Sequence, residues 1–221
     1  MPAPFWSPDS ATVYFRSGRV DNIQIYRKPW NSDGAEELLL SDGTSKTPDC
    51  VSADGKFMLF DRVGEKTKTD IWILPLAEHF GAKPEPRVFL QTPFDERSAQ
   101  FSPDGRWVAY DSDESGRYEV YVAPFPGPGG KRQISSGGGQ GATWRRDGKE
   151  LIYSTSDGQG VAAEIVTRNG TVEVGRIEKL LTCPLGCDMS ADGQKFIAVD
   201  EIPAPSPPLI LIQNWPALLR K

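Results

Sequence analysis

The amino-acid sequence predicts an all-β fold, a β-propeller of four-stranded blades, on three observations. The first is a repeated turn. Ser102-Pro103-Asp104-Gly105 has relatives at Ser7-Pro8-Asp9-Ser10, Ser52-Ala53-Asp54-Gly55, Arg145-Arg146-Asp147-Gly148 and Ser190-Ala191-Asp192-Gly193. The second is the period. Successive turn aspartates lie 45, 50, 43 and 45 residues apart, the spacing a four-stranded blade needs. The third is the segment after each turn: "ATVYFRS", "KFMLFDR", "RWVAYDS", "KELIYST" and "QKFIAVD". Their aromatic and β-branched side chains suit a pleated strand.

Each part of a repeat then has a place. A short run before the turn, such as "RSAQF", is the innermost strand, and the segment after the turn is the second. A further apolar stretch ("IQIYRKP", "DIWILPL", "YEVYVAP", "GVAAEIV", "LILIQNW") is the third, and "EELLL" or "RQISS" marks a shorter fourth. Asp-Gly makes the first reversal tight, because glycine accepts positive φ and aspartate bonds its own downstream backbone. Segments such as "FMLF" and "WVAY" are apolar on both faces, as sheets sandwiched between neighbours require. No helical period longer than a turn or two is found. The repeats run at about 1–46, 47–96, 97–140, 141–185 and 186–221 of a single propeller domain. Only 29 residues come after Asp192, so the chain reads as four complete blades and a three-stranded fifth. An open arc, or self-association through exposed blade faces, is expected ahead of a closed five-bladed ring.

Composition excludes several classes. The 221 residues carry 25 Lys and Arg against 30 Asp and Glu, a net charge of −5. A nucleic-acid binder shows a basic stripe; here Arg145, Arg146 and Lys149 surround a turn and read as a solvated surface. No run of 18 apolar residues suggests a membrane helix, and no signal peptide is visible. Cys183 and Cys187 are either free thiols or the ends of a small oxidised loop, and Cys50 stands apart. With His79 the sole histidine, a four-ligand structural metal site is not expected, nor is any cofactor.

Catalytic readings meet the same scarcity. There is no G-x-S-x-G, and His79 lies in a polar loop, so a serine triad is not expected. Asp111, Asp113 and Glu114 read as hairpin-turn acids that cap backbone amides and meet solvent. Asp95 and Glu96 precede an innermost strand, in the connection that crosses the channel mouth of a propeller. There Glu96 with Arg97 either faces a ligand or forms an ion pair that fixes the loop. Lys46, Asp49, Gln140, Thr143 and Asp188 hold comparable places. Asp49, Glu96, Arg97, Gln140 and Asp188 are thus the expected binding ring, suited to a peptide, a sugar or an ion. Gly137 to Gly139 lack the Lys-Ser/Thr of a phosphate loop and read as an inter-blade crossing. The function expected is a non-catalytic binding module for a protein, peptide or small ligand. The alternative is a hydrolase using mouth acids as a carboxylate pair.

The Ser-Pro-Asp-Gly turn with a strand and then an "IY/VY" strand behind it resembles the TolB-type repeat. The stretch "FLQTPFDERSAQFSPDGRWVAYDSDESGRYEVYVAPFPGPGGKRQISSGGG", with "WRRDGKELIY" and "LILIQNWPALLRK", is similar to the propeller C-terminal to many bacterial Ser/Thr protein kinases. That resemblance implies a six-bladed type, here cut short, and a sensor or interaction role with no catalytic residues. It also implies an extracytoplasmic place if a membrane kinase is the parent, and a cytoplasmic one otherwise. The sequence departs from the pattern at Ser10, Ala53 and Ala191 of the turns, at Cys50 and at Ala142. It carries no Gly-rich loop, V-A-I-K or H-R-D, which excludes kinase activity for this polypeptide.

Overall fold

The computed structural model describes residues 4–19, 22–76, 85–127, 129–168, 170–182, 187–189 and 196–198, with side chains as far as residue 180. The fifth turn, His79, Cys183 and "LILIQNW" lie outside the described residues. The described chain is all strand and turn, and no helix in it is long and apolar enough to cross a membrane.

Four antiparallel sheets succeed one another, each with its strands side by side in chain order. Blade 1 holds β1 (Phe5–Trp6), β2 (Thr12–Ser17), β3 (Gln24–Pro29) and β4 (Glu37–Leu40). Blade 2 holds β5 (Lys46–Val51), β6 (Phe57–Val63), β7 (Thr69–Pro75) and β8 (Arg87–Leu90). Blade 3 holds β9 (Glu96–Phe101), β10 (Trp107–Ser112), β11 (Glu119–Pro124) and β12 (Arg132–Gln133). Blade 4 holds β13 (Gln140–Trp144), β14 (Glu150–Ser154), β15 (Gln159–Arg168) and β16 (Thr171–Thr182). β17 (Cys187–Met189) pairs with β18 (Phe196–Ala198) across the place of the fifth turn.

The repeated turn joins the first strand of each blade to the second. Ser7, Ser52 and Ser102 donate their hydroxyls to Asp9, Asp54 and Asp104 at 2.5, 2.7 and 2.6 Å. The same hydroxyls accept the amides of Thr12, Phe57 and Trp107. Each aspartate takes the amide two residues on, at Ala11, Lys56 and Arg106. In blade 4 the Arg145 guanidinium replaces the serine and clamps Asp147, holding that carboxyl down to about 2. The turn closes through a residue at positive φ, 68° at Gly105 and 58° at Ser10, so glycine is favoured there. Asp104→Ala is therefore expected to lower stability by roughly 0.5–2 kcal/mol, as a lost cap does. An unchanged urea midpoint would show that the turn holds without it.

Three cores lie between the blades. Tyr14, Ile25 and Leu39 of blade 1 meet Met58, Phe60 and Leu74 of blade 2. Leu59, Ile71, Ile73 and Phe89 meet Val108, Tyr110, Tyr121 and Ala123 of blade 3. Trp107, Ala109, Val120, Val122 and Ile134 meet Leu151, Tyr153, Val161 and Ala163 of blade 4. Successive strand residues face opposite sides, so Met58 and Phe60 look back while Leu59 looks forward. This is why the second strands are apolar on both faces. Among the described residues no core joins blade 4 to blade 1. The described sheets are not closed into a ring; they form a partial propeller.

Buried polar clips tie the blades together at the start of the third strands. Gln24, Asp70 and Glu119 are at most 2% exposed. Glu119 accepts the amides of Gly137 and Gly138, both at 2.8 Å, and the Ser135 hydroxyl. Asp70 accepts from Gln91 and Thr67, and Gln24 donates to the Thr44 carbonyl. Each clip fastens the segment that leads from a fourth strand to the next inner strand.

Candidate functional site

The inner strands β5, β9 and β13 lie beside one another, and each is interrupted by a bulge. At the bulges of β9 and β13 the backbone is left-handed, with φ 58° at Ser98 and 67° at Gly141. A bulge re-aims the groups around it, and here it presents an amide to the blade before. Gly141 N–H donates to both oxygens of Asp111, at 2.9 and 3.1 Å. Ser98 N–H donates to Asp61 at 3.4 Å. Asp61 and Asp111 stand at the same place in β6 and β10, directly after the aromatics Phe60 and Tyr110.

Asp111 is 1% exposed, so it is not the solvent-facing turn acid that its sequence neighbourhood suggests. The strand runs one residue past it and carries it into the junction of blades 3 and 4. The turn acids are Asp113 and Glu114. Asp113 accepts the Asp95 amide and pairs with Lys68, while Glu114 pairs with Lys131.

The expected ring is only partly assembled. Arg97 pairs with Asp111 in the ladder of blade 3, as Gln140 pairs with Ser154 in blade 4. The two hold one row, and Arg97 donates to Gln140 Oε1 at 3.3 Å. The Arg97 guanidinium lies 3.8 Å over the ring of Tyr118, whose hydroxyl donates to Asp95. Asp49 sits two residues further along its strand than that row and turns its carboxyl to Asp61. Glu96 leaves the ring altogether. It is fully buried at the start of β9, where the Thr92 hydroxyl donates to it. Lys46, its counterpart in β5, is equally buried against Gln24, Thr44 and Asp42. Both are inter-blade fasteners because the crossing segment folds back over the start of the strand. Asp188 lies on β17 opposite Ile197, and its side chain is outside the described residues.

Burial governs the protonation of these acids. It pushes Asp111 up to about 7 despite the Gly141 amide and the charge of Arg97. It also pushes Glu96 to about 7 and Asp61 to about 6. Asp49 lies well above the carboxylate range, first through burial and then through Asp61 beside it. Asp49 Oδ2 and Asp61 Oδ1 are buried without a hydrogen-bond partner, and a proton shared between the two neighbouring carboxyls would satisfy them, as in a carboxyl–carboxylate dyad. Cys50 bridges β5 and β9, its Sγ 3.3 Å from Ala99 O and 3.4 Å from Phe101 N. Burial raises its thiol, which makes it a poor nucleophile. Among the described residues no three His, Cys, Asp or Glu are grouped to hold a metal.

Asp61, Asp111 and Tyr118 are not among the binding residues the sequence singles out. The signal is there for the first two: "FD" and "YD" recur at the same distance after the turns of repeats 2 and 3.

This architecture, an arc of four-stranded antiparallel blades, is that of the TolB-like β-propellers. TolB from Acinetobacter baumannii superposes with a TM-score of 0.64 and 21% identity, over 88% of this chain and 47% of that one. A TolB from Agrobacterium tumefaciens gives 0.62 and 17%, over 76% and 62%. The periplasmic gluconolactonase of Pseudomonas aeruginosa gives 0.60 and 18%, over 88% and 61%. The chain thus spans about half of the first of these proteins and less than two thirds of the others. No protein-family model matches the chain, and neither does any curated protein.

Proposed function

We propose that this chain is a non-catalytic recognition module, the part of a propeller that binds a protein, peptide or small ligand along its inner strands. The observation that carries the reading is the Arg97–Gln140 row. A guanidinium stacked on an aromatic ring and tethered to an amide is held in one orientation, and it keeps further donors for a ligand carboxylate. The surrounding acids hold amides and protons of the fold, which leaves them poorly placed for chemistry on a substrate. The ligand class is therefore anionic: a peptide with a free C-terminus or a sugar acid. With the resemblance to kinase-associated propellers, this makes the chain a fragment or relative of the sensor region of a bacterial Ser/Thr kinase. The test is an array of peptides and sugar acids, with amidated or esterified partners of each. Hits are expected to lose at least tenfold in affinity in Arg97→Ala, with melting unchanged in Arg97→Lys. Equal binding of free and amidated ligands, or full affinity in Arg97→Ala, sinks the reading.

One observation favours a hydrolase instead. Asp49 and Asp61 pair a protonated acid with a carboxylate, the two states that glycoside hydrolysis uses, and a gluconolactonase shares the fold. Turnover of aryl glycosides, lactones or esters that disappears in folded Asp61→Asn would establish that second reading.

A further inference from the structure

One place in the third strand recurs in blades 2, 3 and 4, and what fills it differs. Leu76, Phe125 and Ile165 each donate their amide to the carbonyl just before the second strand, at Lys56, Arg106 and Lys149, all at 2.8 Å. Each side chain then belongs to the core shared with the preceding blade. In the first junction an aliphatic plug shares its core with the aliphatic pre-turn residue, Leu76 with Val51. In the second an aromatic plug meets aromatics: the Phe125 ring lies 5.0 Å from Phe101, 5.4 Å from Phe57 and 6.4 Å from Phe89. In the third the walls are larger still, with Trp107 in the place of Phe57 and Trp144 in that of Phe101. Yet the plug there is Ile165, which has no ring to set between them.

A cleft of about 600 Å³ opens at this third junction, bounded by Trp107, Trp144 and Ile165 and by the turns of blades 3 and 4. That is a size at which small-molecule sites are found. Its walls come from blades 3 and 4, both of them four-stranded within the described residues. Two further observations point to a ligand. Trp107 is 7% exposed and its indole N–H has no hydrogen-bond partner, whereas the Trp144 N–H donates to the Gln100 carbonyl at 3.2 Å. A buried donor without an acceptor is costly, and a ligand that brings an acceptor removes the cost. The other observation is charge. Asp104 holds Arg106 and Arg145 holds Asp147, while Glu164 accepts the Arg176 amide. Arg146 and Lys149 also line the cleft and make no ion pair among the described residues.

We propose that this cleft binds a small aromatic carboxylate with an oxygen on its ring. The ring takes the place that Phe125 fills one junction earlier, where an offset or edge-on contact with the two indoles is favourable. The carboxylate meets Arg146 and Lys149 at the rim, in charge-assisted hydrogen bonds. The ring oxygen accepts from Trp107 Nε1. This site is separate from the inner row, because Arg97 stands at the start of β9 and the cleft lies past its far end.

Calorimetric titration of the 221-residue chain with 4-hydroxyphenylacetate tests this. One site is expected. Phenylacetate, which lacks the oxygen, and 4-hydroxyphenylacetamide, which lacks the charge, should each bind roughly tenfold more weakly. Arg146→Ala/Lys149→Ala alters only exposed side chains, so it should melt as the parent does and bind roughly tenfold more weakly. Ile165→Phe supplies the chain's own ring and should abolish binding. Arg97→Ala should bind the probe as the parent does. Absence of any heat of binding overturns the proposal, as does equal affinity for the acid and its amide. Full affinity in Arg146→Ala/Lys149→Ala, or in folded Ile165→Phe, overturns it too. Loss of binding in Arg97→Ala would place the probe on the inner row and sink the idea of a second site.

Discussion

Replacing Glu119 by alanine is expected to destabilise the chain by about 3 kcal/mol or more. Its side chain is 2% exposed and accepts three hydrogen bonds, from the amides of Gly137 and Gly138 and from the Ser135 hydroxyl. Removing it strands those donors where water has little access, at about 1–3 kcal/mol for each unsatisfied group. Both glycines stand at positive φ, 103° and 105°, which glycine adopts without strain, so the loss falls on their hydrogen bonds. For a chain of this length 3 kcal/mol corresponds to roughly 6–12 °C in melting temperature. Glu119→Gln should lose less, because one amide oxygen remains to accept. The crossing leads directly into Gln140, so the alanine variant should also free the Arg97 guanidinium from its partner and weaken ligand binding. Differential scanning calorimetry decides it: a melting temperature within a degree of the parent would mean that water serves the Gly137 and Gly138 amides.

The same glycines show where sequence reasoning succeeds and where it stops. Turns and strand roles are local or periodic properties. Ser102-Pro103-Asp104-Gly105 forms its hydrogen bonds within six residues, so its chemistry is written in the string itself. The expected ring is assembled only in part, for a different reason. Glu96 and Arg97 are adjacent in sequence, but strand alternation sends one into the junction with blade 2 and the other to the inner row. Which of the two goes inward depends on the bulge at Ser98, and nothing in "ERSAQF" announces a serine at φ 58°. Asp49 misses the row because it stands two residues further along its strand, level with Ala99 and Ala142 rather than with Arg97 and Gln140. Asp111 reads as a turn acid because "DSDESGR" is dense in turn formers. Its partner, the Gly141 amide, lies 30 residues on, and only the packing of blade 4 on blade 3 brings the two together. The edge-on pairing of Trp6 with Trp30 is legible once the repeats are superimposed, since the two hold the places of Phe101 and Phe125. That the pair stays 53% and 62% exposed is a property of the assembled blades, which no single repeat encodes.

The buried carboxyls predict an unusual pH profile, with stability falling between about pH 5 and pH 8. In the unfolded chain these groups titrate at about 4; in the fold, burial moves Asp61 to about 6 and Asp111 and Glu96 to about 7. Between those values the folded chain binds more protons than the unfolded one, so the stability these groups contribute is full at low pH and lost as pH rises. A carboxyl whose titration is raised by one pH unit contributes about 1.4 kcal/mol, and three such groups together amount to several kcal/mol by pH 8. The turn aspartates act in the opposite sense. Asp9, Asp54, Asp104 and Asp147 are held low by their own turns, and their contribution disappears only as pH falls below about 4. The optimum should therefore lie at about pH 5. Asp61→Asn/Asp111→Asn keeps an acceptor for the Ser98 and Gly141 amides but carries no proton to lose. It should match the parent at pH 5 and melt above it at pH 8. A parent that melts as high at pH 8 as at pH 5 would show that the carboxylates are ionised inside the fold. The same titration reaches the proposed site: once Asp111 ionises, its charge competes for Arg97, and an anionic ligand should bind several-fold more weakly at pH 8 than at pH 6.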